Sequence, residues 1–268
     1  MRRIALYSDI HSNTTALEAV LDHIGRVGPS ERYCLGDLVG YGPDPAGVIE
    51  MVRSSGDPVI RGNYDQGVGD RSGACGCYYA TDKAESDGAA SYAFTEQAVG
   101  DGDAAWLSSL PTEIRIDEAG VRILLTHGSP RRINEYLMPD RGEGQLARLA
   151  READADVVCC GHVHVPYHRS FRAEPDDPAA PLVHYVNSGS VGKPKDADPR
   201  ACWVELIVGP AEEVRAAAPG DWHAAPAGTT DTWVGLVIHR VSYDVESVAA
   251  AVIAAGLPNS LAEALRTG

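Results

Sequence analysis

The chain has 268 residues, 44% hydrophobic and 23% charged, and 38 acidic against 23 basic side chains leave a formal net charge of −15. That is long enough for a sizeable core, and too acidic for a general nucleic-acid or anionic-membrane surface, which needs clustered Lys and Arg. There is no run of about 20 apolar residues to span a bilayer, no apolar leader before Asp9, and no disulfide framework among six cysteines of which Cys159 and Cys160 are adjacent; the expectation is a soluble cytoplasmic protein with no membrane partner.

Arg2 to Ser8 is a short apolar run that ends at Asp9 and His11. Thr15 and Glu18 have capping-box spacing, and Leu17, Val20, Leu21 and Ile24 recur on one helical face up to Gly25. A strand from Tyr33 to Leu35 leads into Gly36-Asp37, a helix from Ala46 to Ser54 follows Pro45, and a strand from Pro58 to Ile60 delivers Gly62-Asn63. Such strand–helix alternation predicts an α/β fold with mainly parallel pairing.

Residues 67–90, rich in Gly, Asp and Ser, read as a surface excursion leaving the Asn63 loop, with Cys75-Gly-Cys77 in its middle. Ser91 to Leu110 reads as helical. Ile114 to Ile116 and Val121 to Thr126 read as a hairpin ending at His127. A helix from Gly144 to Ala153 precedes a strand, Val157 to Cys160, that ends at Gly161, His162, Val163 and His164. A hairpin-like pair, Tyr167 to Arg172 and Leu182 to Val186, follows. Residues 209–231 lack useful periodicity and are expected to be an exposed connection between strands Cys202 to Val208 and Thr232 to Val241. Helices Val245 to Ala255 and Ser260 to Arg266 close the chain. With no repeat or linker, residues 1–268 read as one domain.

The ends of these strands carry the chemistry. Asp9, His11, Asp37, Asn63, His127, His162 and His164 each follow an apolar run, and ligands of open α/β sheets bind beyond the carboxyl ends of strands. Two Asp, one Asn and four His exceed the roughly four ligands of one tetrahedral ion. They suit two ions sharing a carboxylate, a recurring device for hydrolysing phosphate esters by a hydroxide held between the ions. Carboxylate, imidazole and amide donors suit Mn, Fe, Zn or Ni. Gly36, Gly62 and Gly161 read as tight-turn residues. His23, His168, His184, His223 and His239 carry no such pattern. Arg131, Arg132 and Lys193 follow motif loops; Arg131 first, then Lys193, is a candidate to grip a substrate phosphate. Cys75 and Cys77 are expected either to pack the excursion or to touch the metal site.

The order D-x-H, GD-x-x-D, GNH-[DE], H, GH-x-H resembles the calcineurin-like metallophosphoesterase superfamily. The SDIHSN and GDLVGYGP wording is similar to its small bacterial branch of YfcE-type phosphodiesterases. The resemblance implies a four-layer α/β/β/α sandwich of two mixed sheets flanked by helices. It implies one ion on Asp9, His11, Asp37 and His164, and a second on Asn63, His127 and His162, with Asp37 bridging and Mn favoured. It also implies a metal-dependent phosphoesterase, by preference a phosphodiesterase, on a small phosphate ester. Asn63 would also stabilise charge on the phosphoryl oxygens. Two positions depart from the pattern: Gly40 stands where the motif has its second Asp, and Tyr64 where it has the His assigned as proton donor. Tyr64 is expected to reach the rim of the site, either bonding a phosphate oxygen or walling the pocket. A phenol with an ordinary pKa near 10 matches neutral pH poorly, so activated esters and diesters are favoured over alkyl monoesters. The alternative is a metal-binding regulatory protein of the same fold with little turnover. Natural substrate and oligomeric state stay open.

Overall fold

The computed structural model describes residues 1–174, 176–218, 224–229 and 231–268. β1 (Arg2–Tyr7) turns Ile4 and Leu6 to one face and Ala5 and Tyr7 to the other; all four are fully buried, so both faces of this strand are covered. α1 (Thr14–Val27) is capped by Asn13, whose side chain accepts from the Ala16 N–H; the Thr15 and Glu18 spacing does not start it. β2 (Glu31–Cys34) follows, then α2 (Pro45–Ser55), with Asp44 as its cap and Pro45 in its first turn. The 58–60 stretch makes one parallel bridge, Cys34 to Val59, rather than a full strand.

α3 (Asn63–Gly69) occupies what had read as loop, so Asn63 opens a helix. α4 (Asp82–Ala98) and α5 (Asp101–Ser109) reduce the expected excursion to 70–81. β3 (Glu113–Glu118) and β4 (Val121–Thr126) form the expected hairpin, and α6 (Glu143–Glu152) precedes β5 (Val157–Cys160). β6 (Tyr167–Arg172), β7 (Leu182–Asn187) and β8 (Ala201–Pro210) come next.

The stretch 209–231 is more ordered than its sequence suggested. It holds α7 (Ala211–Ala217), which buries Val214 against Ile207, and β9 (Ala224–Pro226). A two-turn helix with one buried apolar side chain has no readable period; it forms because it covers a strand. Residues 219–223 and 230, His223 among them, lie outside the described residues. β10 (Thr232–Val241), α8 (Val245–Ala254) and α9 (Asn259–Thr267) complete the chain. Among the described residues no helix is long and apolar enough to cross a membrane.

Two mixed five-stranded sheets result, in the orders β2-β1-β8-β10-β9 and β3-β4-β5-β7-β6. Ile4, Leu6, Val204 and Leu206 of the first meet Ile123, Leu125, Val157 and Cys159 of the second in a shared apolar layer. On the first sheet's other side, Ala5, Tyr7 and Trp203 pack against Leu17, Val20 and Ile24 of α1 and Val48, Ile49 and Val52 of α2. On the second sheet's other side, Leu124, Val158, Cys160 and Tyr185 pack against Leu146, Leu149 and Ala150 of α6. The protein is thus an α/β/β/α sandwich, and the two-residue side-chain repeat builds its layers.

Candidate metal centre

The parallel pairs β1–β2 and β4–β5 send their carboxyl ends to one edge of the sandwich. There the sheets are stitched together. Val191 N–H donates to Ser8 O, His127 Nδ1–H to Leu35 O at 2.7 Å, and the Ser8 and Ser188 hydroxyls meet at 2.7 Å. Asp9 and His11 leave β1, Asp37 leaves β2, His127 leaves β4, and His162 and His164 leave β5. With Asn63 at the start of α3, all seven expected ligands converge, none more than 3% exposed.

They form two groups, each drawing on both sheets: Asp9, His11 and His164, and Asp37, His127 and His162. In each, the ligand atoms lie within 4.8 Å of one another. Asp37 stands between them: its Oδ2 is 3.4 Å from His127 Nε2 and 3.8 Å from His11 Nε2. Its Oδ1 is occupied, accepting from the Tyr64 N–H at 2.8 Å. Asp9 is divided in the same way. Oδ2 accepts from the Ser8 hydroxyl and the His162 N–H, and Oδ1 points into the site.

These donors fit a bound cation. His11, His127 and His164 each donate Nδ1–H to a backbone carbonyl, of Val39 at 3.0 Å, Leu35 at 2.7 Å and Lys193 respectively. A carbonyl only accepts, so the lone pair of each neutral ring is on Nε2. His11 Nε2 and His164 Nε2 then face each other at 3.1 Å as two acceptors. His127 Nε2 faces Asn63 Oδ1 at 3.1 Å. Asp9 Oδ1 and His162 Nε2 are buried with no hydrogen-bond partner. So many convergent buried acceptors are costly unless positive charge lies among them.

Burial and the neighbouring His164 push His11 down to about 3, and burial and His127 push His162 down to about 4. Both rings are therefore neutral, the form that ligates metal. His127 is the exception. Burial opposes its charge, but the carboxylates of Asp37 and Asp9 outweigh burial and raise it. Positive charge is favoured at that spot.

The backbone at the edge is strained. Asp9, His11, Asp37, His162 and His164 have φ of 53°, 49°, 54°, 65° and 64°. Left-handed backbone disfavours any side chain by about 1–2 kcal/mol per residue, so tertiary contacts must hold these five ligands in place. Gly161 and Gly62 allow the loops to approach: a Cβ on Gly161 would strike Ser8 Oγ and Asp9 Oδ2, and one on Gly62 would strike Asp37 Oδ1.

Asn63 donates its amide hydrogens to Cys75 O at 3.0 Å and Cys77 Sγ at 3.1 Å. It can therefore ligate through Oδ1 but has no N–H left for a phosphoryl oxygen. The Cys75-Gly-Cys77 stretch does touch the site. Asp65, given no role from sequence, ties two ligand loops together by accepting from Leu38 N–H at 2.8 Å and Gly62 N–H at 2.9 Å. It was readable as the acidic position of GNH-[DE].

Two expectations are corrected. Tyr64 does not reach the rim: it is fully buried, ring-packed on Tyr41 and edge-on to His11, with its hydroxyl 3.5 Å from Ser91 Oγ. Consecutive helical residues project about 100° apart, so α3 aims Asn63 at the site and turns Tyr64 into the core. Burial also raises the Tyr64 pKa well above that of a free phenol. Arg131 is exposed, and its guanidinium is committed to both carboxylate oxygens of Glu135 at 2.8 and 2.6 Å, four residues on. Lys193 does lie at the site, with its carbonyl on His164 and its ammonium 4.8 Å over the Tyr41 ring. Tyr136, which no sequence pattern marked, packs against His162 with ring centroids 4.0 Å apart and the planes tilted by 36°.

The description "Calcineurin-like phosphoesterase superfamily domain" matches residues 2–207. The uncharacterized protein MJ0912 of Methanocaldococcus jannaschii is 30% identical over 214 residues, 75% of this chain and 80% of its own length. A metallophosphoesterase from Sphaerobacter thermophilus superposes with a TM-score of 0.67 at 25% identity, over 100% of this chain and 99% of its own. The hypothetical protein PH1004 from Pyrococcus horikoshii shares the fold, with a TM-score of 0.72 at 19% identity over 99% and 98% of the two chains. The sandwich, the ordered ligands and these likenesses agree, and the chain belongs to the calcineurin-like phosphoesterase superfamily.

Proposed function

We propose that the chain is a metal-dependent phosphoesterase that binds two divalent cations and acts foremost on activated esters and diesters. One observation carries the reading: two buried groups of acceptor atoms share Asp37, whose Oδ2 faces His11 of one group and His127 of the other. Asp9, His11 and His164 would hold one divalent cation and Asp37, His127 and His162 the other, and such cations would supply Lewis-acid charge to a phosphoryl group and acidify water. The chain's own residues do the rest. Backbone carbonyls of Leu35, Val39 and Lys193 lock three imidazoles with Nε2 inward. Ser8 and the His162 N–H orient Asp9, and the Tyr64 N–H orients Asp37. Burial of all seven ligands excludes bulk water and strengthens each electrostatic contact. No general acid stands at position 64, so a leaving group that departs without a proton is favoured.

The test is hydrolysis of bis(p-nitrophenyl) phosphate by protein stripped with chelator and then resupplied with Mn²⁺. Activity is expected only with added metal and not in His127→Ala. Metal-dependent binding with no turnover on aryl mono- or diesters would leave a regulatory metalloprotein of the same fold instead.

A further inference from the structure

Beside the candidate metal centre is a cavity of about 290 Å³ whose lining includes Tyr41, Tyr78, Tyr79, Tyr136, Lys193 and Lys195. Three of these residues each touch a different candidate ligand. Tyr41 lies edge-on to His11 with ring centroids 4.9 Å apart, Tyr136 packs against His162, and Lys193 holds His164 through its carbonyl. The cavity therefore lies one side chain away from the ligand cluster. Four tyrosines are a large share of the 11 in the chain, and their planar faces suit a flat aromatic group.

The cationic side is equally specific. Lys193 and Lys195 flank Pro194 on the strap that holds His164, whose carbonyl accepts from the Lys195 N–H. Among the described residues neither lysine forms an ion pair. The nearby carboxylate in the lining, Asp87, is taken by Lys83 and Ser260, each at 2.6 Å. Two lysine side chains with no carboxylate partner, two residues apart in a chain of net charge −15, mark an anion subsite. The volume is at the lower end of the roughly 300–1,000 Å³ of small-ligand pockets, which suits one nucleoside unit and not a folded phosphoprotein surface.

Building on the phosphoesterase reading, we infer that this cavity is a nucleotide subsite: the ring of a nucleobase lies among the tyrosines, and a second phosphate, beyond the one at the metal centre, lies between Lys193 and Lys195. A phosphoserine ester offers neither the ring nor the second anion. Aromatic stacking tolerates any base because every base has a π-face, so the subsite selects for nucleotides as a class.

The experiment is calorimetric titration of the full chain with adenosine 5′-diphosphate and with methyl phosphate, which lacks ring and second anion. The same titrations are run on Lys195→Gln and Tyr78→Ala, two exposed positions that do not disturb the core. The diphosphate is expected to bind at least about tenfold more tightly than methyl phosphate, as one stacked base provides. Each variant is expected to narrow that margin severalfold. Equal affinities in the parent protein, or a margin that survives both substitutions, would overturn the subsite. Ester hydrolysis is measured in parallel, which separates the two readings. Nucleotide binding with the expected margin but no hydrolysis keeps the subsite and removes the phosphoesterase. Hydrolysis with no margin does the opposite.

Discussion

A Cβ atom at position 40 would lie 2.5 Å from both Cδ1 and Cε1 of the Tyr64 ring. Gly40 and Tyr64 are the two positions at which the chain departs from the family motifs, and they are one packing arrangement. The ring fills the space that a side chain at 40 would need, and Gly40 also has φ of 95°, where other residues are strained.

Gly40→Ala should therefore destabilise the protein by about 1–3 kcal/mol through overpacking and backbone strain. Tyr64→Phe should cost under about 1.5 kcal/mol and change kcat/KM by less than about twofold, because the hydroxyl is buried against Ser91. Tyr64→His should lower the melting temperature by opening a cavity and add no monoester activity, since α3 buries this side chain behind His11, against Tyr41 and Ser91, and not at the rim. A gain on monoesters in Tyr64→His would show that position 64 does reach the leaving group.

Metal analysis of protein purified without chelator is expected to approach two equivalents per chain. Asp37→Asn should lose more metal and more activity than Asp9→Asn, because Asp37 faces histidines of both groups, whereas Asp9 faces His11 and His164 of its own. One equivalent, unchanged by added Mn²⁺ or Zn²⁺, would refute the paired site.

Aryl diesters should be turned over better than alkyl monoesters. A nitrophenolate leaves unprotonated, an alkoxide needs a proton, and a Tyr64 whose pKa burial has raised cannot supply it. Equal kcat/KM on the two classes would mean that another side chain acts as the acid.

His184 should make stability fall on mild acidification. It is fully buried in β7, and burial lowers it from 6.5 to about 4. The unfolded chain takes up the proton first, so this contribution is fully present above about pH 6.5 and is lost as pH falls towards 4. The loss at pH 5 should be about 2 kcal/mol. Urea unfolding at pH 7.5 and pH 5.0 should show a smaller pH difference in His184→Gln, with the ligand histidines cancelling between the two proteins. An identical pH difference in both would exclude His184 as the source.

Much of the fold was legible because it is local. The continuous apolar runs Ile4 to Tyr7 and Val157 to Cys160, buried on both faces, are written in the chain. Helices α1, α2, α6, α8 and α9 followed from periodicity and breakers. Helix α3 was missed because seven residues with two glycines carry no period, and that miss misdirected Tyr64. Helix α7 and β9 were missed because they exist only as cover and edge for β8 and β10, with too few buried side chains to carry a period.

The sequence by itself determined which side chains could hold metal, since their chemistry and their places at strand ends are local properties. The tertiary structure decided how they are grouped, which nitrogen each imidazole presents, and which candidates stay outside. His11 meets His164 across 153 residues, and His127 takes its tautomer from Leu35 across 92. Arg131 was lost to a carboxylate four residues along, while Tyr136 and Lys195 were brought to the cavity with no motif to announce them. Contacts of that range depend on how two sheets close on each other, and left-handed backbone at five ligands persists only once they have closed.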